Sequence, residues 1–222
     1  MKLAIVGYGK MGRLIDSLAP EYGFDVVARI DENNRNDSLA GAEVAIEFSS
    51  PESAVSNIER LAKEKVNTVV GTTGWIGQME HVQSVVDASG IGLVWSPNFS
   101  IGVNVFNRLV AEAARLVSEQ NEYGAWAWEI HHDSKKDAPS GTLVKLVDEM
   151  KKAGYARNID VSSNRAGRHP GTHEIGFDSA ADTITLRHVA RSREGFARGA
   201  LRAAQWVHGK RGLFEFSEVI FG

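Results

Sequence analysis

The stretch Lys2-Leu-Ala-Ile-Val-Gly-Tyr-Gly-Lys-Met-Gly12 decides the fold of the first half of the chain. Its apolar start predicts a strand, and the helical pattern after the glycines runs toward Ala19. A strand, a Gly-x-Gly-x-x-Gly turn and a helix in this order are typical of a dinucleotide-binding site. Gly7 permits the tight turn, Gly9 lets the backbone approach a pyrophosphate, and Gly12 allows close helix–strand packing. A glycine turn without any cofactor is the alternative interpretation.

Short apolar runs alternate with helical patterns over the first hundred residues. The predicted strands lie at 2–6, 24–30, 44–48, 68–70 and 92–95. Ser50-Pro-Glu begins a predicted helix. Its apolar face is formed by Ala54, Ile58 and Leu61, which follow one another at intervals of four and three residues. Strands that alternate with helices at this spacing predict βαβ units and a parallel sheet, which is a Rossmann-like, doubly wound α/β domain.

Several residues at the ends of these strands are candidates for cofactor binding. Asp31 ends the second predicted strand, where a carboxylate binds ribose hydroxyls. Loops after the fourth and fifth strands carry glycine and hydroxyl side chains, and such loops line the ligand crevice of an open parallel sheet; ordinary turns are the alternative. The predicted cofactor-binding residues are Gly7, Tyr8, Gly9, Lys10, Met11, Gly12, Asp31, Gly71, Thr72, Thr73, Ser96, Pro97, Asn98 and Phe99.

The second half of the chain has a different pattern. A helix is predicted at 103–117, and the strand predicted at 126–131 alternates large apolar with other residues, as a strand with one covered face does. A helix at 142–152 and strands at 172–178 and 183–189 complete an α+β domain with an open mixed sheet. A helical stripe at 196–207 is expected to pack back on the first domain. The predicted domains are therefore 1–98, completed by 196–222, and 99–195.

Composition limits the classes of function. The formal net charge of −3 gives no electrostatic reason to expect binding to nucleic acid. The absence of cysteine excludes thiolate metal sites and covalent thiol mechanisms. The apolar run at 3–6 is too short for a signal-peptide core or a membrane span, so a cytoplasmic protein without a membrane partner is expected.

The stretch Glu129-Ile-His-His-Asp-Ser-Lys-Lys-Asp-Ala-Pro-Ser-Gly-Thr142 carries the candidate chemistry. Neighbouring residues on a strand point to opposite faces, so His131 shares a face with Glu129, whereas His132 belongs to the apolar face. A metal ion bound by both histidines is therefore not expected, and no metal site is predicted. A histidine in such a place is more often structural, but the loop that follows favours a functional role.

The Asp-Ala-Pro-Ser-Gly-Thr turn predicts a helix N-terminus capped by Ser140. The free N–H groups, the Thr142 hydroxyl and the helix dipole would form a pocket for a carboxylate, and Gly141 has no side chain to block a ligand. Simple capping is the alternative. A lysine a few residues earlier would add positive charge and a source of protons. Together these features predict an anionic substrate that is protonated during its reaction.

The same stretch resembles the signature of the 4-hydroxy-tetrahydrodipicolinate reductase family, also called dihydrodipicolinate reductases. The similarity extends over the glycine loop and residues 70–75, 96–106, 165–167, 196–206 and 212–214, which is essentially the whole chain. The resemblance implies NADH- or NADPH-dependent reduction of a cyclic, doubly carboxylated imine to tetrahydrodipicolinate in lysine and diaminopimelate biosynthesis. It also implies a homotetramer, and the strand face of Trp126 and Trp128 is the expected contact.

The resemblance assigns roles to particular residues. It makes His131 the catalytic acid/base and Lys135 the proton donor. It places His132 against one substrate carboxylate and assigns the other carboxylate to the substrate-binding residues Ser140, Gly141 and Thr142. Two alternatives stay open: a non-catalytic NAD-binding sensor, which would lose these proton-transfer groups, and another two-domain oxidoreductase acting on sugars, which would carry a lysine near the fifth strand.

The loop after the second strand departs from the family pattern. Some members place an arginine just after the acidic ribose-binding residue, whereas Glu32 follows Asp31 here. Two carboxylates at this point favour NADH because they repel the 2′-phosphate of NADPH. The cations that could offset this repulsion are Lys10, Arg13, Arg29 and Arg35. We therefore expect that both cofactors are used and that NADH is preferred.

Overall fold

A parallel sheet forms the core of the first of two structural units in the computed structural model, which describes residues 1–222. This unit comprises Met1–Ile101 and Glu194–Gly222. Its strands are β1 (Lys2–Val6), β2 (Asp25–Ile30), β3 (Val44–Glu47), β4 (Asn67–Val70), β5 (Gly92–Trp95) and β10 (Gly212–Glu215). They lie in the order β10-β5-β4-β3-β1-β2, and all neighbours are parallel. The predicted Rossmann-like sheet is confirmed, and β10 is a strand that the sequence pattern did not predict.

Helices cover this sheet on both faces. They are α1 (Lys10–Leu18), α2 (Pro51–Lys63), α3 (Met79–Ser89), α6 (Glu194–Val207) and α7 (Phe216–Phe221), with short 3-10 helices at Ala19–Tyr22 and Ile76–Gln78. All four residues of β3 are buried, as expected for a strand between two helical layers. Ala200 and Ala203 of α6 share one apolar cluster with Leu3 and Ile5 of β1, so this late helix packs on the first unit.

The second unit, Gly102–Arg193, contains a four-stranded mixed sheet. Its elements are α4 (Ile101–Val117), β6 (Gly124–His131), α5 (Gly141–Lys152), β7 (Ile159–Arg165), β8 (Thr172–Asp178) and β9 (Thr183–Val189). The strand order is β7-β6-β8-β9, in which β7 is parallel to β6 and the other pairs are antiparallel. The predicted α+β mixed sheet is confirmed. No helix in either unit is both long enough and apolar enough to cross a membrane.

The helices of this unit cover the face of β6 that carries its small side chains. Alternate residues Ala125, Ala127, Glu129 and His131 are buried, whereas the tryptophans on the opposite face are only half-buried. The two alanines belong to the apolar cluster formed with α4 and α5. The large apolar side chains of β6 therefore lie on the face that these helices leave uncovered, which is the face expected to form the subunit contact. Small side chains let the helices approach the sheet closely, and this selects the face of the two alanines.

Candidate active site

The glycine loop between β1 and α1 has the geometry that its motif predicts. Gly7 has φ +95°, and a Cβ there would lie 2.0 Å from the carbonyl oxygen of Phe48 at the end of β3. A Cβ at Gly12 would lie 2.3 Å from the carbonyl oxygen of Gly7. Helix α1 starts after Gly9 without a side-chain cap, so its first N–H groups are available to an anion.

Two cavities flank this loop. The first, of about 390 Å³, is lined by residues that follow β1, β2 and β3: Val6, Gly7, Tyr8, Gly9, Ile30, Asp31, Glu32, Asn33, Arg35, Phe48, Ser49, Ser50, Ser53 and Asn57. The second, of about 440 Å³, is lined by Gly9, Lys10, Met11, Phe48, Ser49, Pro51, Gly71, Thr72 and Thr73. Their linings share Gly9, Phe48 and Ser49, so the two cavities adjoin. Together they suit a two-part ligand such as a dinucleotide, and most of the predicted cofactor-binding residues line them.

The turn after β5 does not line either of these cavities. Ser96 is buried, its hydroxyl donates to the Asn98 carbonyl at 2.9 Å, and the Asn98 N–H donates back to the Ser96 hydroxyl at 3.1 Å. Phe99 is 2% exposed and packs against Phe48 and Phe216 in the core. Pro97 connects these residues in the same turn. The turn therefore anchors the edge of the site from within the core.

The carboxyl end of β3 contributes residues that the sequence pattern did not single out. Glu47 is fully buried, and its Oε1 accepts hydrogen bonds from the Ser49 N–H and the Asn57 amide, both at 3.2 Å. The Ser49 N–H also donates to the Thr72 hydroxyl at 2.8 Å. These bonds hold the β3 and β4 loops together around the cavities. The rule that ligands bind at the carboxyl ends of parallel strands would have identified this loop.

Charged side chains around Asp31 define the rim of the first cavity. Asp31 Oδ1 accepts a hydrogen bond from the Asn33 N–H at 2.8 Å, which fixes the carboxylate in the loop after β2. Arg29 donates to Asp16 at 2.7 and 2.9 Å, and this hydrogen-bonded guanidinium lowers the pKa of Asp16. Arg29 is therefore already paired, whereas Arg35 lines the cavity itself.

The second unit gathers a buried polar cluster around Glu129 on β6. Glu129 Oε1 accepts hydrogen bonds from the Ser140 N–H at 2.8 Å, the Ser163 hydroxyl at 3.0 Å and Arg165 Nη2 at 2.9 Å. Oε2 lies 3.3 Å from both His131 Nδ1 and His173 Nε2. Burial alone would raise the pKa of Glu129, but its contacts with the two imidazoles and Ser140 hold it well below the usual range.

Helix α5 begins at the predicted place. Ser140 is its N-cap, and the hydroxyl accepts from the Leu143 N–H at 3.2 Å, so the predicted cap is confirmed. A Cβ at Gly141 would meet no atom within 4 Å, which leaves open space in front of the helix N-terminus. Thr142 follows on the first turn and is half-buried.

The loop between β6 and α5 holds the other predicted residues. His132 lies just beyond the end of β6, with Nδ1 2.9 Å from the Ser134 hydroxyl. Lys135 Nζ contacts both carboxylate oxygens of Asp137, at 2.8 and 2.9 Å. This lysine is the main cause of the lowered pKa of Asp137. Arg165 also donates to the Asp137 carbonyl oxygen, so β7 helps to anchor the loop.

The sequence pattern did not identify His173 as a member of this cluster. It lies directly opposite Glu129 across the β6–β8 pair. Its ring packs edge-on against His131 with centroids 5.0 Å apart, and its Nε2 lies 3.2 Å from the Ser140 hydroxyl. Alternation along β8 places His173 on a definite face, but the register with β6 comes only from the tertiary structure.

A dinucleotide-binding unit combined with an α+β unit that carries a histidine–lysine loop is typical of two-domain nicotinamide-dependent oxidoreductases. Comparison with protein families specifies the class further. The family model for the dihydrodipicolinate reductase N-terminus matches residues 1–99, and that for the dihydrodipicolinate reductase C-terminus matches residues 102–220. The chain therefore belongs to the dihydrodipicolinate reductase family, and this membership implies a nicotinamide cofactor.

Individual relatives agree with this membership. The chain is 33% identical to a 4-hydroxy-tetrahydrodipicolinate reductase of Christiangramia forsetii, covering 99% of this chain and 98% of the relative. It is 31% identical to the enzyme of the same name from Lawsonia intracellularis, covering 93% of both chains. A dipicolinate-bound dihydrodipicolinate reductase from Paenisporosarcina sp. TG-14 has the same fold, with a TM-score of 0.83, 21% identity and 97% coverage of both chains.

Proposed function

We propose that this protein is a 4-hydroxy-tetrahydrodipicolinate reductase that uses NADH or NADPH to form tetrahydrodipicolinate in lysine and diaminopimelate biosynthesis. Within the family, one structural observation carries the proposal. The buried carboxylate of Glu129 contacts both the candidate acid/base His131 and the start of the candidate carboxylate-binding helix, α5. The groups proposed for proton transfer and for anion binding are thus joined by one buried carboxylate. Relatives with this name act on a small dicarboxylate, which fits an open, capped helix N-terminus.

The proposed chemistry divides between the cofactor and the chain's own residues. The bound nicotinamide cofactor supplies the hydride. His131 acts as the catalytic acid/base and Lys135 as the proton donor to the reduced ring. Nδ1 of His131 faces Glu129, so Nε2 is the ring nitrogen left for the substrate. Lys135 Nζ is held by an aspartate whose side chain is 56% exposed, so the ammonium can exchange this partner for substrate.

We assign substrate binding to the helix N-terminus and the preceding loop. The N–H groups of Gly141 and Thr142 and the Thr142 hydroxyl would hold one carboxylate, with Ser140 shaping the turn. His132, half-buried just beyond the end of β6, would contact the other carboxylate. Fixing both carboxylates orients the ring before hydride and proton arrive.

We assign cofactor binding to the first unit and to the residues predicted for it. The linings of the two cavities support Gly7, Tyr8, Gly9, Lys10, Met11, Asp31, Gly71, Thr72 and Thr73 as contacts. Gly12 acts through helix packing, and residues 96–99, which form the turn after β5, act by anchoring the edge of the site. NADH is the proposed preferred cofactor because Asp31 and Glu32 both line the first cavity, while Arg29 is paired with Asp16.

We also propose that the second unit forms the subunit contact of a homotetramer. Trp126 and Trp128 lie on the sheet face that this chain's own helices leave uncovered. Light scattering over a range of concentrations tests the assembly. A monomer at every concentration would contradict it.

The two alternative functions are less well supported. A non-catalytic sensor has no need of His131 and Lys135, yet both are present. Oxidoreductases acting on sugars carry a catalytic lysine near the fifth strand, where this chain has a turn closed by hydrogen bonds between Ser96 and Asn98.

The test is the loss of NADH or NADPH absorbance with freshly generated 4-hydroxy-tetrahydrodipicolinate. His131→Gln is expected to lower kcat by a factor on the order of 10²–10⁴, and Lys135→Ala should act similarly. Thr142→Val should mainly raise KM. Lys136→Ala is the control because Lys136 is an exposed neighbour of Lys135 with no assigned role. No turnover by the folded wild-type protein would refute the proposed function.

A further inference from the structure

Glu129 occupies the point where three strands and a helix N-terminus meet. It lies on β6, its hydrogen-bond donors Ser163 and Arg165 lie on β7, and His173 lies on β8. The fourth element is α5, whose N-cap residue Ser140 donates its N–H. The carboxylate is fully buried, so each contact is protected from water and from competing ions.

The two oxygens of this carboxylate have different partners. Oε1 accepts all three conventional hydrogen bonds, at 2.8 to 3.0 Å, and these bonds fix the orientation of the group. Oε2 accepts none of these and lies at ion-pair distance, 3.3 Å, from Nδ1 of His131 and from Nε2 of His173. An anionic oxygen in this position favours a proton on the imidazole nitrogen that faces it.

Other contacts keep the His131 ring in this orientation. His173 packs edge-on against one side of it. At its Nε2 edge, the Gly171 backbone is so close that a Cβ there would lie 2.9 Å from Nε2 of His131. The ring is therefore confined between β8 and Glu129, with Nδ1 toward the carboxylate and Nε2 away from it.

A bound metal ion is a less suitable explanation of this cluster. Glu129, His131 and His173 place their ligand atoms within 4.8 Å of one another, which is close enough to hold an ion. However, Arg165 already contacts Oε1 at 2.9 Å and supplies the positive charge that balances the buried carboxylate.

We propose that Glu129 is a positioning residue that fixes the tautomer of His131. It holds a proton on Nδ1 and leaves Nε2 free to exchange protons with the substrate. Through the Ser140 N–H, the same carboxylate also ties the start of α5 to the His131 ring. The inference rests on the proposed role of His131 as the acid/base, but the tautomer itself can be measured without any activity.

Glu129→Gln separates the charge of this residue from its shape. Three donors converge on the Oε1 position, so the amide oxygen takes that place and the NH₂ group faces the imidazoles. An NH₂ group donates to Nδ1 of His131 and therefore favours the tautomer with its proton on Nε2. The contact with the Ser140 N–H is retained, so the helix N-terminus should keep its position.

The experiment combines ¹⁵N NMR of the histidine side chains with steady-state kinetics. In the wild type, His131 should be the Nδ1–H tautomer when neutral, and in Glu129→Gln it should be the Nε2–H tautomer. The variant should lose on the order of 10²-fold in kcat with a much smaller change in KM. Glu149→Gln, which removes the charge of a partly exposed glutamate that pairs with Lys152 on α5, is the control and should leave both tautomer and kcat unchanged.

A wild-type His131 with its proton on Nε2 would overturn the proposal. This measurement uses the wild type alone and does not depend on whether a variant folds. An unchanged tautomer or an unchanged kcat in Glu129→Gln would overturn it as well. If the wild type does not reduce 4-hydroxy-tetrahydrodipicolinate, the proposed function fails, whereas the tautomer comparison still decides the role of Glu129.

Discussion

Gly171→Ala is the substitution through which the packing of the candidate acid/base can be tested most directly. Gly171 precedes β8 with φ +139°, in the region that side-chain-bearing residues rarely adopt. Its carbonyl accepts the Ala190 N–H at 2.8 Å, so the backbone is fixed by the sheet. A Cβ here would lie 2.9 Å from Nε2 of His131. Because the backbone cannot yield easily, the imidazole ring must move.

The size of this effect follows from the distances. An ordinary contact needs about 3.5 Å, so the ring must shift by roughly 0.6 Å. A misplacement of about 1 Å costs up to roughly 10²-fold in rate, so we expect kcat to fall on the order of tenfold, about 1.4 kcal/mol. The unfavourable φ should cost about 1–3 kcal/mol of folding stability, and the steric overlap about 1–3 kcal/mol more.

Gly154→Ala provides the matched control in the same unit. Gly154 has φ +100°, but a Cβ there would meet only Ser118, at 3.8 Å, so this variant carries the backbone strain without the overlap. Thermal melts and NADH oxidation should show a lower Tm in both variants, by roughly 2–4 °C per kcal/mol. Only Gly171→Ala should lose kcat. Equal kcat in the two folded variants would show that the His131 ring is not confined by β8.

Three further predictions concern charge. Asp137→Asn should lower KM by at most about fivefold. The reason is that Asp137 competes with the substrate carboxylate for Lys135, and an exposed ion pair contributes no more than about 1 kcal/mol. An unchanged or raised KM in a substrate titration would contradict this. The value of kcat/KM should be higher with NADH than with NADPH. A tenfold preference for NADPH would mean that the attraction of Arg35 for the 2′-phosphate outweighs its repulsion by Asp31 at the rim of the cavity. The pKa of Glu129 is depressed by folding, so its contribution to stability is present above its unfolded pKa of about 4.3 and is lost as pH falls below that value. The Tm of Glu129→Gln should therefore depend less on pH than that of the wild type between about pH 5 and pH 3, and parallel Tm curves would refute this.

Much of the fold could be predicted from the sequence because apolar runs and glycine turns together mark where strands lie and end. The predicted strand at 2–6 and those at 92–95, 172–178 and 183–189 match β1, β5, β8 and β9 residue for residue. The strand β7 was missed because most of its residues are polar and at least partly exposed, so no alternation marks it. The strand β10 was missed because it is short and pairs with β5, more than a hundred residues earlier in the chain.

The candidate site was predictable only as far as local rules reach. The cap at Ser140 and the shared face of Glu129 and His131 follow from helix and strand geometry. The part played by His173 does not, since it depends on the register between β6 and β8. The helix-facing side of β6 does not follow from side-chain size, because the small residues Ala125 and Ala127, rather than the tryptophans, face the helices.

Lys135 and Arg165 differ in how easily they can leave their present partners. This difference favours Lys135 over Arg165 as the cation that contacts the substrate. Arg165 is 16% exposed and is engaged by Glu129 Oε1 and the Asp137 carbonyl; withdrawing it would leave a buried carboxylate without a counter-charge. Lys135 contacts only a carboxylate that is 56% exposed, and water can replace it there at small cost. A dicarboxylate that enters the site can therefore recruit Lys135 and the open end of α5 while Arg165 stays in place. Under the proposed function, Arg165 maintains the cluster around Glu129, and Lys135 supplies the proton that the reduced ring receives.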